Sequence, residues 1–179
     1  ALAGTLTTAF LIRGVGFTLT DVGTINKGLG LVSLLAGGLV GGLLLVRMSL
    51  TRALLLFGAL QAISNLSFAL LAWAGKSYPL LVFAVSFENL ASGMGTAAFV
   101  AFAMALCNHS FSATQYALLS ALASLVRILF GPATGGLVEA MGWANFFVLT
   151  FVAALPGLWL VRQMRAQIAA VDGSRNIEQ

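Results

Sequence analysis

Charged side chains are scarce in this sequence, and their scarcity excludes most classes of protein. They make up 8% of the 179 residues, about a third of the roughly 25% that is typical of soluble domains. A soluble fold needs a polar face on every helix or strand, and this composition cannot supply one. The 60% apolar content also excludes a disordered chain. The class that remains is a helical integral membrane protein.

Cysteine, proline and clustered chemical groups are also rare. The single cysteine cannot form an internal disulfide bond, and three prolines against twenty glycines exclude collagen-like or proline-rich material. The sequence contains no pair of carboxylates, no metal-ligand cluster and no phosphate-binding loop, so we expect neither an enzyme nor a metal site. The nine basic residues give a formal charge of +4 but form no patch. We therefore interpret them as topology signals and not as a surface for nucleic acid.

Long apolar runs are what the sequence has in abundance. Spanning a bilayer takes about 20 residues, and the short polar turns between the runs make neighbouring helices antiparallel. Five runs are long enough, at about 22–46, 53–74, 78–106, 114–138 and 143–161. Residues 1–12 form a shorter run, which we interpret as a helix cut by a fragment boundary. We therefore expect a bundle of six spans over residues 1–163, followed by a polar tail at 164–179.

The basic residues outside the spans predict the orientation of the bundle. Cytoplasmic loops carry an excess of lysine and arginine. Arg13 and Lys76 lie at one end of the predicted bundle. The other end carries Arg47, Arg52, Arg162, Arg165 and Arg175. This bias predicts that the C-terminus is cytoplasmic.

Three ionisable residues fall inside the predicted spans: Lys27, Glu88 and Arg127. A charge near the bilayer centre costs on the order of 3 kcal/mol by insertion scales, so such a residue faces a cavity or a partner. Lys27 lies close enough to the outer interface to extend to water. Glu88 and Arg127 lie deeper, and an ion pair that only locks two helices is the structural alternative. The functional alternative is a site that binds a charged solute or carries a proton.

Polar side chains recur at helical spacing in three of the spans. Lipid offers them no hydrogen bonds, so we expect them to converge inward on a wet interior. A lone serine can instead bond its own backbone, which makes each one weak evidence. The three stripes are Tyr116, Ser120, Ser124 and Arg127; Glu88 and Ser92; and Gln61 and Asn65.

Glycines are concentrated in the first full span. Gly37 and Gly41 share a helix face, as do Gly38 and Gly42, and each pair permits close helix contact. Static packing is one interpretation, and a smooth surface along which helices rock is the other. In the fourth full span, Gly131 and Pro132 predict a kink.

Several stretches resemble a known transporter family. Residues 41–52 resemble a degenerate form of the loop motif of the major facilitator superfamily, with Val46 in place of the acidic residue. Residues 88–101 and 111–122 resemble the AmpG-type muropeptide permeases of that superfamily. Supporting matches lie at 10–17, 22–31, 131–132 and 142–143.

The resemblance implies that the chain is the C-terminal half of a twelve-helix transporter whose N-terminal half is its partner. It further implies import of anhydromuropeptides, N-acetylglucosamine–anhydro-N-acetylmuramic acid peptides, across the bacterial inner membrane. Protons are the implied driving force, peptidoglycan recycling and β-lactamase induction the implied context, and no cofactor is implied. A facilitator for a different solute and a non-transporting membrane interaction fragment are the alternatives.

The facilitator fold lines its cavity mainly with the first, second, fourth and fifth helices of each half. The resemblance therefore favours residues on the corresponding helices of this chain as cavity-lining residues over Gln61 and Asn65. Arg127 is expected to bind a substrate carboxylate, with Lys27 as a second cationic anchor. Glu88 is expected to couple transport to protons by competing with substrate for Arg127. The remaining expected substrate contacts are Tyr116, stacking on a sugar ring, and the hydrogen-bonding side chains Ser120, Ser124, Asn89 and Ser92.

Overall fold

The fold is described from a computed structural model. It describes the backbone of residues 2–106 and 112–168, and the side chains of residues 6–106 and 114–168 apart from 123 and 126–133.

Helices account for nearly all of the described chain. Helix α1 (Leu2–Ala9) continues through a π-helical turn, Phe10–Gly14. Helix α2 (Leu19–Ile25), a second π-helical turn (Asn26–Gly30) and helix α3 (Leu31–Arg47) form one continuous helix. The remaining helices are α4 (Leu50–Ala74), α5 (Tyr78–Leu106), α6 (Ser112–Met141) and α7 (Trp143–Gln163). The described residues contain no strand.

Four helical segments within the described ranges are long and apolar enough to cross a membrane. They are Leu19–Arg47, Leu50–Ala74, Tyr78–Leu106 and Trp143–Gln163. The expected all-α integral membrane fold is therefore confirmed. Helices α1 and α6 coincide with the two other predicted spans but are not among these four.

The first of these segments begins three residues earlier than the predicted span, at Leu19 instead of residue 22. The reason is a helix cap at Thr18, whose side-chain oxygen accepts a hydrogen bond from the Asp21 N–H at 3.1 Å. Asp21 also favours the first turn because its negative charge faces the positive end of the helix dipole. Polar residues that resembled a loop therefore belong to the helix.

An aromatic cluster joins α4 and α7 to the π-helical turn after α1. The ring of Phe10 lies 4.9 Å from that of Phe147 and 6.3 Å from that of Phe68, centroid to centroid, and Phe68 stacks on Phe147 at 5.4 Å. Phe10 also contacts Trp143 at 5.3 Å. All three phenylalanines are buried. This cluster lies at one end of the bundle, where α7 begins.

Two connections between helices meet at that same end. The ring of Phe17, before α2, lies 5.2 Å from that of Tyr78, which begins α5. The Tyr78 hydroxyl donates a hydrogen bond to the Asp21 carboxylate at 2.9 Å. The Lys76 ammonium lies 5.7 Å from the centre of the Phe17 ring, within cation–π range. These contacts hold the start of α2 against the turn from α4 to α5.

The closest helix contact is between α3 and α5, and glycines make it. A Cβ atom at Gly37 would collide with the Leu90 carbonyl oxygen, and one at Gly41 would lie 2.9 Å from the Met94 Cα. On the facing helix, a Cβ atom at Gly93 would likewise meet α3 backbone. Small residues let two backbones approach closely, which is a main source of helix association in lipid.

The second glycine pair of α3 has its Cβ positions outside this contact, although the Gly38 nitrogen lies 2.7 Å from the Cβ position of Gly93. Cβ atoms at Gly38 and Gly42 would meet nothing within 4 Å. The two pairs have the same spacing, so the sequence pattern does not distinguish them. Their different surroundings make Gly38 a natural control for substitutions at Gly37.

Candidate functional site

The π-helical turn Asn26–Gly30 is the irregular feature that carries Lys27. Two of its five residues are glycines, which weaken the regular helix. π-Helical turns within α-helices are frequent at functional sites. The turn packs against α5: a Cβ atom at Gly30 would lie 3.2 Å from the Asn89 side-chain nitrogen. Lys27 itself is exposed.

Helix α5 presents polar side chains beside this turn. The Asn89 amide donates a hydrogen bond to the Val85 carbonyl at 2.8 Å, which holds the amide near Gly30. Glu88 and Ser92 are both partly buried. Within the described ranges, the Glu88 carboxylate accepts no hydrogen bond and forms no ion pair.

The polar stripe of α6 is only partly available for substrate. Tyr116 and Ser120 are partly buried and Ser124 is exposed. The Ser124 hydroxyl donates to the Ser120 carbonyl of its own helix at 2.9 Å, as lone serines in helices commonly do. Its oxygen can still accept a hydrogen bond.

The other residues that the sequence singles out on this helix lie in the stretch 126–133, outside the described side chains. Arg127, Gly131 and Pro132 belong to it. The expected pairing of Arg127 with Glu88 therefore stays a prediction. The expected kink at Gly131 and Pro132 stays a prediction as well.

The polar stripe of α4 is used inside its own helix. Ser64 is fully buried, and its hydroxyl donates to the Gln61 carbonyl at 2.8 Å. The Gln61 amide in turn donates to the Ser64 hydroxyl oxygen at 3.4 Å. Asn65 is 9% exposed, and the Ser67 hydroxyl donates to the Ser64 carbonyl at 2.6 Å. These residues contribute to the packed interior.

Two polar residues near the site were not among the expected contacts. The Asn26 side-chain oxygen lies 3.7 Å from the Cβ position of Gly30, the same position that the Asn89 side chain contacts. Thr96 donates to the Ser92 carbonyl at 2.8 Å and is exposed. Thr96 follows Glu88 by two helical repeats of four, so periodicity could have included it. Nothing local marks Asn26, because its proximity to Asn89 depends on the packing of α5.

Metal chemistry has no visible ligand set here. Across residues 2–106 and 112–168, no three histidine, cysteine, aspartate or glutamate side chains are grouped to hold an ion.

Apolar spanning helices with ionisable and polar side chains along their length define a multi-pass membrane protein. No family model matches the chain. Curated proteins that are similar to the chain nevertheless exist, and they are named as permeases or putative transporters.

The chain is 54% identical over 161 residues to the anhydromuropeptide permease of Escherichia coli K12, a match that covers 90% of this chain and 33% of that protein. It is 35% identical over 168 residues to the putative transporter AmpG 4 of Rickettsia conorii, covering 94% of this chain and 40% of the relative. It is 32% identical over 159 residues to the putative transporter AmpG 1 of Rickettsia prowazekii. The resemblance to AmpG-type permeases is confirmed, and the chain spans about a third of the length of the first of these relatives.

Proposed function

We propose that the protein containing this chain imports anhydromuropeptides across the bacterial inner membrane. The observation that carries this proposal is the 54% identity over 90% of the chain to a permease named for that solute. The chain supplies part of the transport path, and an N-terminal half of the same protein supplies the remainder. The C-terminus faces the cytoplasm, and the imported solute enters peptidoglycan recycling.

The solute is polar, and its peptide carboxylates make it anionic, so it needs cations and hydrogen-bonding groups in its path. Lys27 is exposed on the π-helical turn and serves as a cationic anchor. Asn89 and Ser92 lie on the helix that packs against this turn and bind amide and hydroxyl groups. On α6, Arg127 binds a carboxylate through its planar guanidinium, and Tyr116 stacks on a sugar ring. Ser120 and Ser124 extend this polar surface.

Glu88 couples transport to protons. Its carboxylate is partly buried and has no hydrogen-bond or ion-pair partner among the described residues. A carboxylate in this position exchanges a proton when its surroundings alternate between water and protein. Substrate then competes with Glu88 for Arg127 as the two halves of the transporter move.

Uptake of labelled anhydromuropeptide by cells that express the full-length protein tests the substrate assignment. Lys27→Gln removes the cationic anchor, and we expect the KM to rise about tenfold, which is the loss of one charged hydrogen bond at an exposed site. Lys76→Gln is the matched control, because Lys76 lies on Phe17 outside the spans. Normal expression with no uptake of this solute would overturn the assignment and leave the fold alone.

The pH dependence of uptake tests the coupling role. Glu88→Gln keeps the size of the side chain but cannot release a proton, so we expect uptake to lose its response to an imposed proton gradient. Glu139→Gln, at the exposed end of α6, is the control for loss of a carboxylate. Unchanged uptake and pH dependence in Glu88→Gln would remove Glu88 from the coupling role.

A further inference from the structure

A surface cavity of about 480 Å³ lies at the C-terminal end of α7, away from the polar residues discussed above. Among the residues that the structure describes, it is lined by Trp159, Arg162, Gln163 and Arg165, all of which are exposed. The volume is within the range of small-molecule sites. We propose that this cavity binds the headgroup of an anionic phospholipid.

The position of the cavity along α7 matches the membrane–water interface. Helix α7 is one of the segments that can cross a membrane, and it ends at Gln163. Trp159 lies one turn inside that end, which is about 6 Å along the axis. Tryptophan is enriched at the headgroup level of bilayers, where its ring is apolar and its N–H meets polar groups. Arg162 and Arg165 therefore lie at the height of lipid phosphates.

The chemistry of the lining selects an anion with further polar groups. A guanidinium can bind a phosphate through two parallel hydrogen bonds, and two of them flank this cavity. The Gln163 amide can bond the hydroxyl groups of a glycerol headgroup. None of the four described lining residues is acidic, and two of them are cations. Anionic lipids are bound by basic clusters at the ends of spanning helices in this way.

The backbone after α7 continues as a helical turn, which carries one of the arginines. The Ile168 N–H donates to the Met164 carbonyl at 3.0 Å, and the Ile168 side chain is 4% exposed. Arg165 lies between these two residues in the sequence, on the turn that this hydrogen bond closes. A defined backbone at Arg165 lowers the entropy that is lost when the site binds a ligand.

A soluble phosphate would satisfy the arginines but not the tryptophan. Trp159, which lines the cavity, is 61% exposed. Exposed aromatic surface at this depth is covered by lipid in a bilayer. The combination of an apolar ring with two guanidinium groups therefore favours a lipid over a free ion.

Native mass spectrometry of the full-length protein in detergent tests the proposal with phosphatidylglycerol as the probe. We expect retained phosphatidylglycerol and little retained phosphatidylethanolamine, which has no net charge. Arg162→Gln with Arg165→Gln is expected to weaken retention about 25-fold, taken as about fivefold for each arginine. Arg162→Lys with Arg165→Lys keeps the charges but loses the two-bond geometry, so we expect an intermediate loss.

The matched control is Arg47→Gln with Arg52→Gln, which removes two exposed arginines from the end of the bundle predicted to face the same leaflet. We expect this control to retain phosphatidylglycerol as the unchanged protein does. An equal loss in both double variants would mean that net charge alone attracts the lipid, and it would overturn the site. Displacement of the lipid by inorganic phosphate at equal concentration would overturn the lipid assignment. Trp159→Leu provides a second test, because unchanged retention in that variant would contradict the interfacial role of the ring.

Discussion

Substitution of Gly37 by alanine tests the close packing of α3 against α5. The added Cβ atom would collide with the Leu90 carbonyl oxygen and would lie 2.9 Å from the Leu90 Cα. A backbone carbonyl cannot rotate away as a side chain can, so α3 and α5 must separate. The neighbouring Gly41 lies in the same contact and would lose its fit as well. Separation by even ~0.5–1 Å forfeits a quarter to a half of each dispersion contact.

The magnitude follows from comparison with Gly38→Ala. Both variants gain helix propensity, worth about 1 kcal/mol in a helix interior. A Cβ atom at Gly38 meets nothing within 4 Å, so only Gly37→Ala adds overpacking. Overpacking costs about 1–3 kcal/mol, and a clash with backbone belongs at the upper end. We therefore expect Gly37→Ala to be less stable than Gly38→Ala by about 3 kcal/mol.

Reversible unfolding of the full-length protein in mixed micelles of mild detergent and dodecyl sulfate measures this difference. Helix content by circular dichroism and the elution volume of the folded protein check that each variant starts from the native state. Equal unfolding free energies for Gly37→Ala and Gly38→Ala would refute the assignment of the α3–α5 interface.

Two further predictions use the same unfolding assay. Phe10→Ala should lower the free energy of unfolding by about 3 kcal/mol, the low end for a buried phenylalanine, because in a membrane the ring loses packing and little transfer energy. Phe83 is 55% exposed, so Phe83→Ala is the control and should cost less than about 1 kcal/mol. Equal losses of stability in the two variants would contradict the aromatic cluster. Gly142→Ala should cost about 1–3 kcal/mol, because Gly142 has φ 81° and ψ 163°, a region that essentially only glycine occupies. Gly135→Ala is its control, because space is open at both positions and Gly135 lacks the positive φ. If Gly142→Ala is as stable as the unchanged protein, the turn adapts to the added Cβ atom and the predicted strain is absent.

The candidate site was partly accessible from the sequence. Lys27 and Glu88 were identified because an ionisable residue inside an apolar run is conspicuous whatever its neighbours are. The approach of Gly30 to Asn89 could not be predicted, because the two residues are 59 positions apart and meet only where the π-helical turn packs against α5. Similarly, the hydrogen bond from Tyr78 to Asp21 joins residues 57 positions apart, and nothing near either residue predicts it.

The sequence by itself determined the class of the protein and the approximate course of its helices. Apolar runs and the polar turns between them are local features, so their positions can be read without any knowledge of packing. Only the tertiary structure decided which faces of those helices meet. In lipid the outer face of a helix is as apolar as the buried one, so hydrophobic periodicity does not identify the inside. This is why Gly37 and Gly38 are equivalent in the sequence, while of these two only Gly37 has its Cβ position directed into α5.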